Sequence, residues 1–251
     1  MKLHPQRVQL SFKHQRRVTG THFIIFTANS KMKTRPCLFL FFLSLVSLRS
    51  FSQKIINEGI LTYSISIQNT KGEKAVTGSL NGAVLTVFLT PAKSMTQMVS
   101  MPGTETEVFD AKTGKGFLLK EYSAQKLMIT TTADNWAQKN RLNRSLNFKT
   151  LTGTEVINGY TCKKAVAEAD GREYTVYYDP GVLIANKTYN NSFPQINGLP
   201  VKYELRSGNL IFEYDLVKYS TENIEASKFD APKNGFRIMS FEENQQLKKG
   251  E

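Results

Sequence analysis

The stretch Ile196–Tyr219, INGLPVKYELRSGNLIFEYDLVKY, constrains the fold of this chain more than any other. Val201, Tyr203 and Leu205 alternate with Lys202, Glu204 and Arg206. Beyond Ser207-Gly208-Asn209, Leu210, Phe212, Tyr214 and Leu216 alternate with mostly polar residues. Successive side chains of a strand point to opposite faces, so this is a period-2 pattern and not a helical one. A two-residue turn at Gly208-Asn209 sets Leu205 opposite Phe212, Tyr203 opposite Tyr214 and Val201 opposite Leu216, with every large apolar group on one face. A slip of one residue would send one strand's apolar set to the other side. The pattern demands an antiparallel sheet with one covered face.

Other segments repeat the theme. Gly59–Gln68 alternates Leu61, Tyr63, Ile65 and Ile67 with Thr62, Ser64, Ser66 and Gln68. Ala83–Thr90 is apolar on both faces and stops at Pro91. Lys93–Met101 reads as a strand, although Met95, Met98 and Met101 would also fit one face of a helix. Phe117–Tyr122 and Lys126–Thr131 read as a hairpin about Ser123-Ala124-Gln125. Tyr160–Asp179 is another, turning at Asp170-Gly171, with Ala167 against Tyr174 and Ala165 against Val176. Ala133–Leu146 is the best helix candidate, capped by Asp134, with Trp136, Leu142 and Leu146 as its apolar points. So thin a stripe suits a surface helix or a lid. Asn186–Asn197 is loop, Ile224–Pro232 a turn or short helical piece, Phe236–Met239 a last strand and Glu242–Glu251 a frayed tail. The expectation is one mainly β domain with minor α content, from residue 53 onward.

Residues 1–52 have a different character. They hold nine Lys and Arg, no Asp or Glu, and all three histidines. Met32-Lys33-Thr34-Arg35, the apolar run Leu38–Leu48 and the small residues Ser50 and Ser52 have the layout of a secretory signal peptide, with cleavage expected between Ser52 and Gln53. The run falls short of the roughly 20 residues a membrane span needs. Residues 1–31 then read as an over-long start before Met32; an Arg-rich organelle transit peptide is the alternative. Taking the nine positive charges of the leader from a total of +12 leaves +3, so the basic balance is no nucleic-acid footprint. Taking 52 residues from 251 leaves 199, enough for one domain burying roughly 70% of its unfolded surface. Cys162 is the lone cysteine of that part; no internal disulfide is available to it, and a small buried apolar role is expected.

The chemistry is bounded by a deficit. Without histidine after residue 52 there is no Ser-His-Asp or Cys-His arrangement and no His-containing zinc site, and one cysteine cannot build a Cys-rich one. No phosphate-loop or dinucleotide motif occurs. No catalytic residue, metal ligand or cofactor is therefore assigned. Glu204 and Glu213 would face each other across the hairpin and could serve a carboxylate-dependent hydrolase; the plainer reading is an exposed face where Lys202, Arg206 and Asp215 screen them. Asp110 and Asp179 read as turn-side acids. Apolar surface is what remains. Leu61, Tyr63, Ile65 and Ile67 with Met95 and Met98 are candidates to line a ligand cavity. So are Val201, Tyr203 and Leu205 with Phe212 and Tyr214, the other outcome being that all eleven are ordinary core. Lys139–Arg144 could meet anionic lipid or lie on a solvated helix face.

An ordered set of short motifs carries a family resemblance: Glu58-Gly59-Ile60-Leu61-Thr62-Tyr63, Asn158-Gly159-Tyr160-Thr161-Cys162-Lys163-Lys164, the Asp170-Gly171 hairpin, Asn197-Gly198-Leu199-Pro200, and Phe229-Asp230-Ala231-Pro232 with Gly235-Phe236. The chain resembles exported, uncharacterised DUF4412/GLPGLI-type proteins of Bacteroidota, which look related to the LolA/LolB-like periplasmic lipoprotein carriers. The resemblance implies a half-open antiparallel β-barrel or curved sheet with one or two covering helices, whose concave apolar face receives acyl chains. On these grounds the chain is expected to be a periplasmic or secreted non-enzymatic protein that binds or carries a lipid or other apolar ligand. The alternative is a structural or interaction module of the cell envelope with a filled core and a protein partner. No nucleic-acid partner is expected, and membrane contact is at most peripheral.

Overall fold

The computed structural model describes residues 53–69, 82–123, 125–169, 171–189, 192–207 and 209–249. The leader with its cleavage site, most of the polar connection at 71–82, the turn residues Ala124, Asp170 and Gly208, and the side chain of Leu142 lie outside them. In chain order come β1 (Lys54–Ile56), β2 (Gly59–Asn69), β3 (Val84–Leu89), β4 (Lys93–Ser100), β5 (Gly103–Asp110), β6 (Lys115–Tyr122) and β7 (Gln125–Thr131). Helices α1 (Ala133–Lys139) and α2 (Arg141–Ser145) follow. Then come β8 (Lys149–Thr150), β9 (Glu155–Ile157), β10 (Tyr160–Ala169), β11 (Arg172–Asp179), β12 (Val182–Ile184), β13 (Leu199–Ser207) and β14 (Leu210–Ser220). A 3₁₀ turn (Ala226–Phe229), β15 (Arg237–Ser240) and α3 (Phe241–Lys249) end the described chain.

A 13-stranded sheet runs in the order β15-β7-β6-β5-β4-β3-β2-β14-β13-β11-β10-β8, with β9 beside β10. Every pairing in it is antiparallel except β15 with β7. Two meanders meet where β2 pairs β14, and no pairing among the described residues joins the two ends, so the sheet curves without closing. Irregular pairings at Leu216/Lys218 and Tyr177/Tyr178 bend it, as an extra residue in one strand does. A short parallel pair, β1 with β12, lies outside the sheet and adds Ile56, Val182 and Ile184 to the main core.

The hairpin register expected from the sequence is the one observed, Tyr203 facing Tyr214 and Leu205 facing Phe212. So are Ala167 against Tyr174 and Ala165 against Val176. Asn158-Gly159 makes a further hairpin turn, at φ 51° and 83°, between the paired residues Ile157 and Tyr160. The sequence Asn-Gly suits a turn that needs two positive φ values in succession.

The α-helical expectations need three corrections. The expected single helix Ala133–Leu146 is two short helices, because Asn140 turns its side-chain amide back onto the Trp136 carbonyl at 2.8 Å and ends the first. Its cap is Thr132, not Asp134. Thr132 Oγ1 accepts the Asn135 N–H at 3.3 Å and Asn135 Oδ1 accepts the Thr132 N–H at 3.0 Å, a reciprocal box. The tail expected to fray from Glu242 is helical as α3. There Phe241, 5% exposed, packs on Ile129 and Met239, while Glu242 Oε1 accepts from Asn135 Nδ2 at 2.7 Å. No helix among the described residues is long and apolar enough to cross a membrane, which says nothing of a crossing by strands.

Candidate functional site

The inward face of the sheet divides in two. Across β2, β14, β13 and β11 it carries Leu61, Ile65, Ile67, Leu216, Val201 and Val176, all 3% exposed or less. The loop between β12 and β13 fills this part. Phe193 wedges edge-on against Phe148 (5.5 Å) and Tyr203 (5.0 Å). Asn186, buried, pins the loop to the β3–β4 turn: its Nδ2 donates to the carbonyls of Thr90 (2.9 Å) and Lys93 (3.2 Å), and its Oδ1 accepts from the Thr188 N–H and hydroxyl. A buried amide with every group satisfied fixes a loop firmly.

Across β3, β4 and β5 the face is not filled. A cavity of about 340 Å³ lies between it and α1–α2. One wall is apolar and aromatic: Tyr63, Leu85, Val87, Met98, Leu205 and Tyr214, with Tyr203 stacked on Tyr214 at 4.7 Å. The other is polar, with Ser94 and Thr96 on β4 and Glu105 and Glu107 on β5. The roof is Trp136, Lys139, Asn140 and Asn143, with Tyr189 and Ser192 from the loop.

The roof is held at named points. Trp136 stacks on Phe109 of β5, ring centroids 4.7 Å apart and planes at 8°. Lys139 pairs with Glu107. Asn143 Nδ2 donates to Ser192 Oγ at 3.5 Å, and Leu146, buried, accepts from Gln195 Nε2 at 2.8 Å. The indole N–H of Trp136, a residue 8% exposed, has no acceptor among the described residues. Such a buried donor ordinarily costs about 1–3 kcal/mol. On the polar wall Glu105 accepts the Tyr122 hydroxyl at 2.6 Å and sits 3.6 Å from Lys120 Nζ.

Ionisation follows from the burial. Tyr63 and Tyr203 are raised well above the ordinary phenol value, first by burial and then by neighbouring tyrosines. Tyr214 is pushed up to about 12 by burial and, secondarily, by Glu105. The cavity therefore presents neutral phenols. Tyr63 Oη is committed, donating to the Pro200 carbonyl at 2.9 Å. Cys162, fully buried, has its thiol pushed up to about 11, chiefly by burial and then by Asp179.

Of the eleven residues singled out from sequence, the structure brings Tyr63, Met98, Tyr203, Leu205 and Tyr214 together around the cavity. Leu61, Ile65, Ile67 and Val201 lie in the filled core, and Phe212 packs against it. Met95 points the other way, into a cluster on the opposite face with Val108, Phe117, Met128 and Phe229. Residues 95 and 98 of one strand must face oppositely, being an odd number apart. Met101 is 80% exposed.

The polar wall was missed, because Gly103–Asp110 alternates Thr with Glu and carries no apolar stripe to mark it as a strand. Glu204 and Glu213 face each other as expected, but on the other face. There Arg206 reaches Glu204 (3.2 Å), while Lys202 reaches Glu213 (2.9 Å) and Asp215 (3.6 Å). Asp110 and Asp179 accept backbone N–H groups of their own turns. Among the described residues no three His, Cys, Asp or Glu side chains are grouped to hold a metal ion.

No protein-family model matches the sequence, and no curated protein does. Among solved structures the chain is similar to PNGF-II, at 14% identity and a TM-score of 0.44, covering 77% of this chain and 34% of that one. It thus spans about a third of the length of the PNGF-II chains it matches. It is similar to an uncharacterized conserved protein from Thermus thermophilus, at 11% identity and a TM-score of 0.40, covering 71% of this chain and 90% of that one. A LolA superfamily protein from Nitrosomonas europaea is similar at 8% identity and a TM-score of 0.32, covering 70% and 90%.

Proposed function

We propose that this chain is an exported, non-enzymatic protein of the DUF4412/GLPGLI type that binds a small ligand with substantial apolar surface in the periplasm or outside the cell. The observation that carries the reading is the cavity of about 340 Å³ between the curved sheet and α1–α2, one wall of which is Tyr63, Leu85, Val87, Met98 and Leu205. That volume is at the low end of the roughly 300–1,000 Å³ of small-molecule sites. It suits one small amphiphile or one short chain, not the several acyl chains of a lipoprotein. The exposed Arg141 and Arg144 of α2 would supply peripheral contact with an anionic surface.

Native mass spectrometry after mild purification tests the reading, together with displacement of a fluorescent fatty acid. A bound species, or saturable one-to-one displacement, is expected. A protein that arrives empty and displaces nothing ends it. The filled half of the sheet favours a second reading, an interaction module of the cell envelope. Cross-linking that returns one protein partner, from a chain that takes up no ligand, would select it.

A further inference from the structure

The geometry points, granted the ligand-binding reading above, to the chemistry of the ligand's polar end: a neutral, hydroxyl-bearing group such as a sugar ring, seated among Trp136, Glu105 and Glu107. Three observations converge on it. First, the indole N–H of Trp136, a residue that lines the cavity, is a buried donor without an acceptor among the described residues. A ligand oxygen would satisfy it; hydrocarbon would not.

Second, two carboxylates line the same cavity on β5, two positions apart and so on one face. Bare hydrocarbon laid on them would take away water and return no hydrogen bond. Each carboxylate has room for about four donors, more than its protein partners supply, so ligand hydroxyls can add to them without displacing anything.

Third, the wall is electrically balanced. Glu107 is paired with Lys139, and Glu105 with Lys120. Neither carboxylate is left without a counter-charge for an ionic head to supply, whereas a neutral polyol needs none. Beside this wall, Tyr203 and Tyr214 present stacked aromatic rings to the apolar face of a ring or chain. The ligand would thus lay an apolar body on Leu85, Met98 and Leu205 and turn its hydroxyls toward β5.

Trp136 is the only tryptophan in the 251 residues, so its emission reports on this cavity directly. The test titrates the full mature chain with octyl glucoside, octanoate and octylamine, each below its critical micelle concentration. Trp136 fluorescence is followed and calorimetry provides the check. Octyl glucoside should bind at least tenfold more tightly than the other two. Octanoate or octylamine binding as tightly as the glucoside would overturn the inference while leaving an apolar ligand site standing. No response to any of the three would overturn the ligand-binding reading as well.

Trp136→Phe keeps an aromatic ring beside Phe109 and removes the N–H together with part of the ring area. By calorimetry it should lose about tenfold in affinity for the glucoside and clearly less for octanoate, with its thermal unfolding confirming a folded protein. An unchanged glucoside affinity would overturn the role given to the indole. If the variant does not fold, Glu105→Gln and Glu107→Gln replace it. These keep an acceptor and remove the charge. Octanoate affinity should rise and glucoside affinity should change by less than tenfold; octanoate affinity unchanged in both variants would overturn the neutral-head reading.

Discussion

The two halves of the inward face are written in the same alternating pattern and end in opposite conditions. Along β2, β13 and β14 the inward residues are Leu61, Ile65, Ile67, Val201 and Leu216, and a loop carrying Phe193 closes over them. Along β4 and β5 the inward face carries Ser94, Thr96, Glu105 and Glu107 beside Met98, and two short helices roof a space instead of filling it. Alternation decides which residues share a face. The chemistry of those residues decides whether that face becomes a core or a site, since an apolar plug against carboxylates would strip their hydration.

The sharpest way to break this contrast is to truncate each half in turn. Leu216→Ala, at a fully buried position, should lose about 2–5 kcal/mol in urea unfolding, whereas Thr96→Ala in the cavity wall should change stability by about 1 kcal/mol or less. Equal losses would mean the two halves are one continuous core. Alkaline titration probes the seam where they meet. Tyr63, Tyr203 and Tyr214 ionise near pH 10 when unfolded and higher when folded. Their contribution is complete below pH 10 and is lost as pH rises through the folded values. Tyr214 alone, at about 12, accounts for about 2–3 kcal/mol of that loss, read as falling stability together with delayed phenolate absorbance.

Smaller effects test the lids. A Cβ at Gly198 would lie 2.4 Å from the Tyr178 ring and 2.6 Å from the Asp179 carbonyl oxygen. Gly198→Ala should therefore lose about 1–3 kcal/mol by pushing the filling loop off the sheet, measured by thermal unfolding. Lys139→Met removes the partly exposed pair with Glu107. Stability should move by about 1 kcal/mol or less, while acrylamide quenching of Trp136 increases as α1 loosens over the cavity. Unchanged quenching would show that the roof is held without this pair, by the Phe109–Trp136 stack and the hydrogen bonds of Asn143 and Gln195.

These contrasts also explain what the sequence made legible. Strands with one clean apolar face were readable to the register, as Tyr203–Tyr214 and Ala167–Tyr174 demonstrate. So were the turn roles of Asp110 and Asp179, and the idea that the segment around Trp136 forms a lid. Strand β5 was not readable, because its inward face opens with Glu105 and Glu107 and its other face with Thr104 and Thr106, so neither shows an apolar stripe. The same polarity that hid the strand makes it the functional wall. Helix α3 was missed because its anchor is the single residue Phe241; the loop Asn186–Asn197 was expected as loop, but not its filling role, because Asn186 holds it through hydrogen bonds that no periodicity reveals. Met95 and Met98 were grouped by a spacing that suits a helix and that a strand splits between faces.

The seam between β2 and β14 sets the order in which the molecule can be completed. Tyr63 reaches the carbonyl of Pro200, 137 residues further along. As the chain folds, β2 can pair with its sequence neighbour β3 at once, but its other edge stays open until the β13–β14 hairpin docks. Such long-range closure is slow, and an open apolar strand edge in the meantime invites pairing with other chains. β14 is thus the strand whose docking closes the open edge of the first meander.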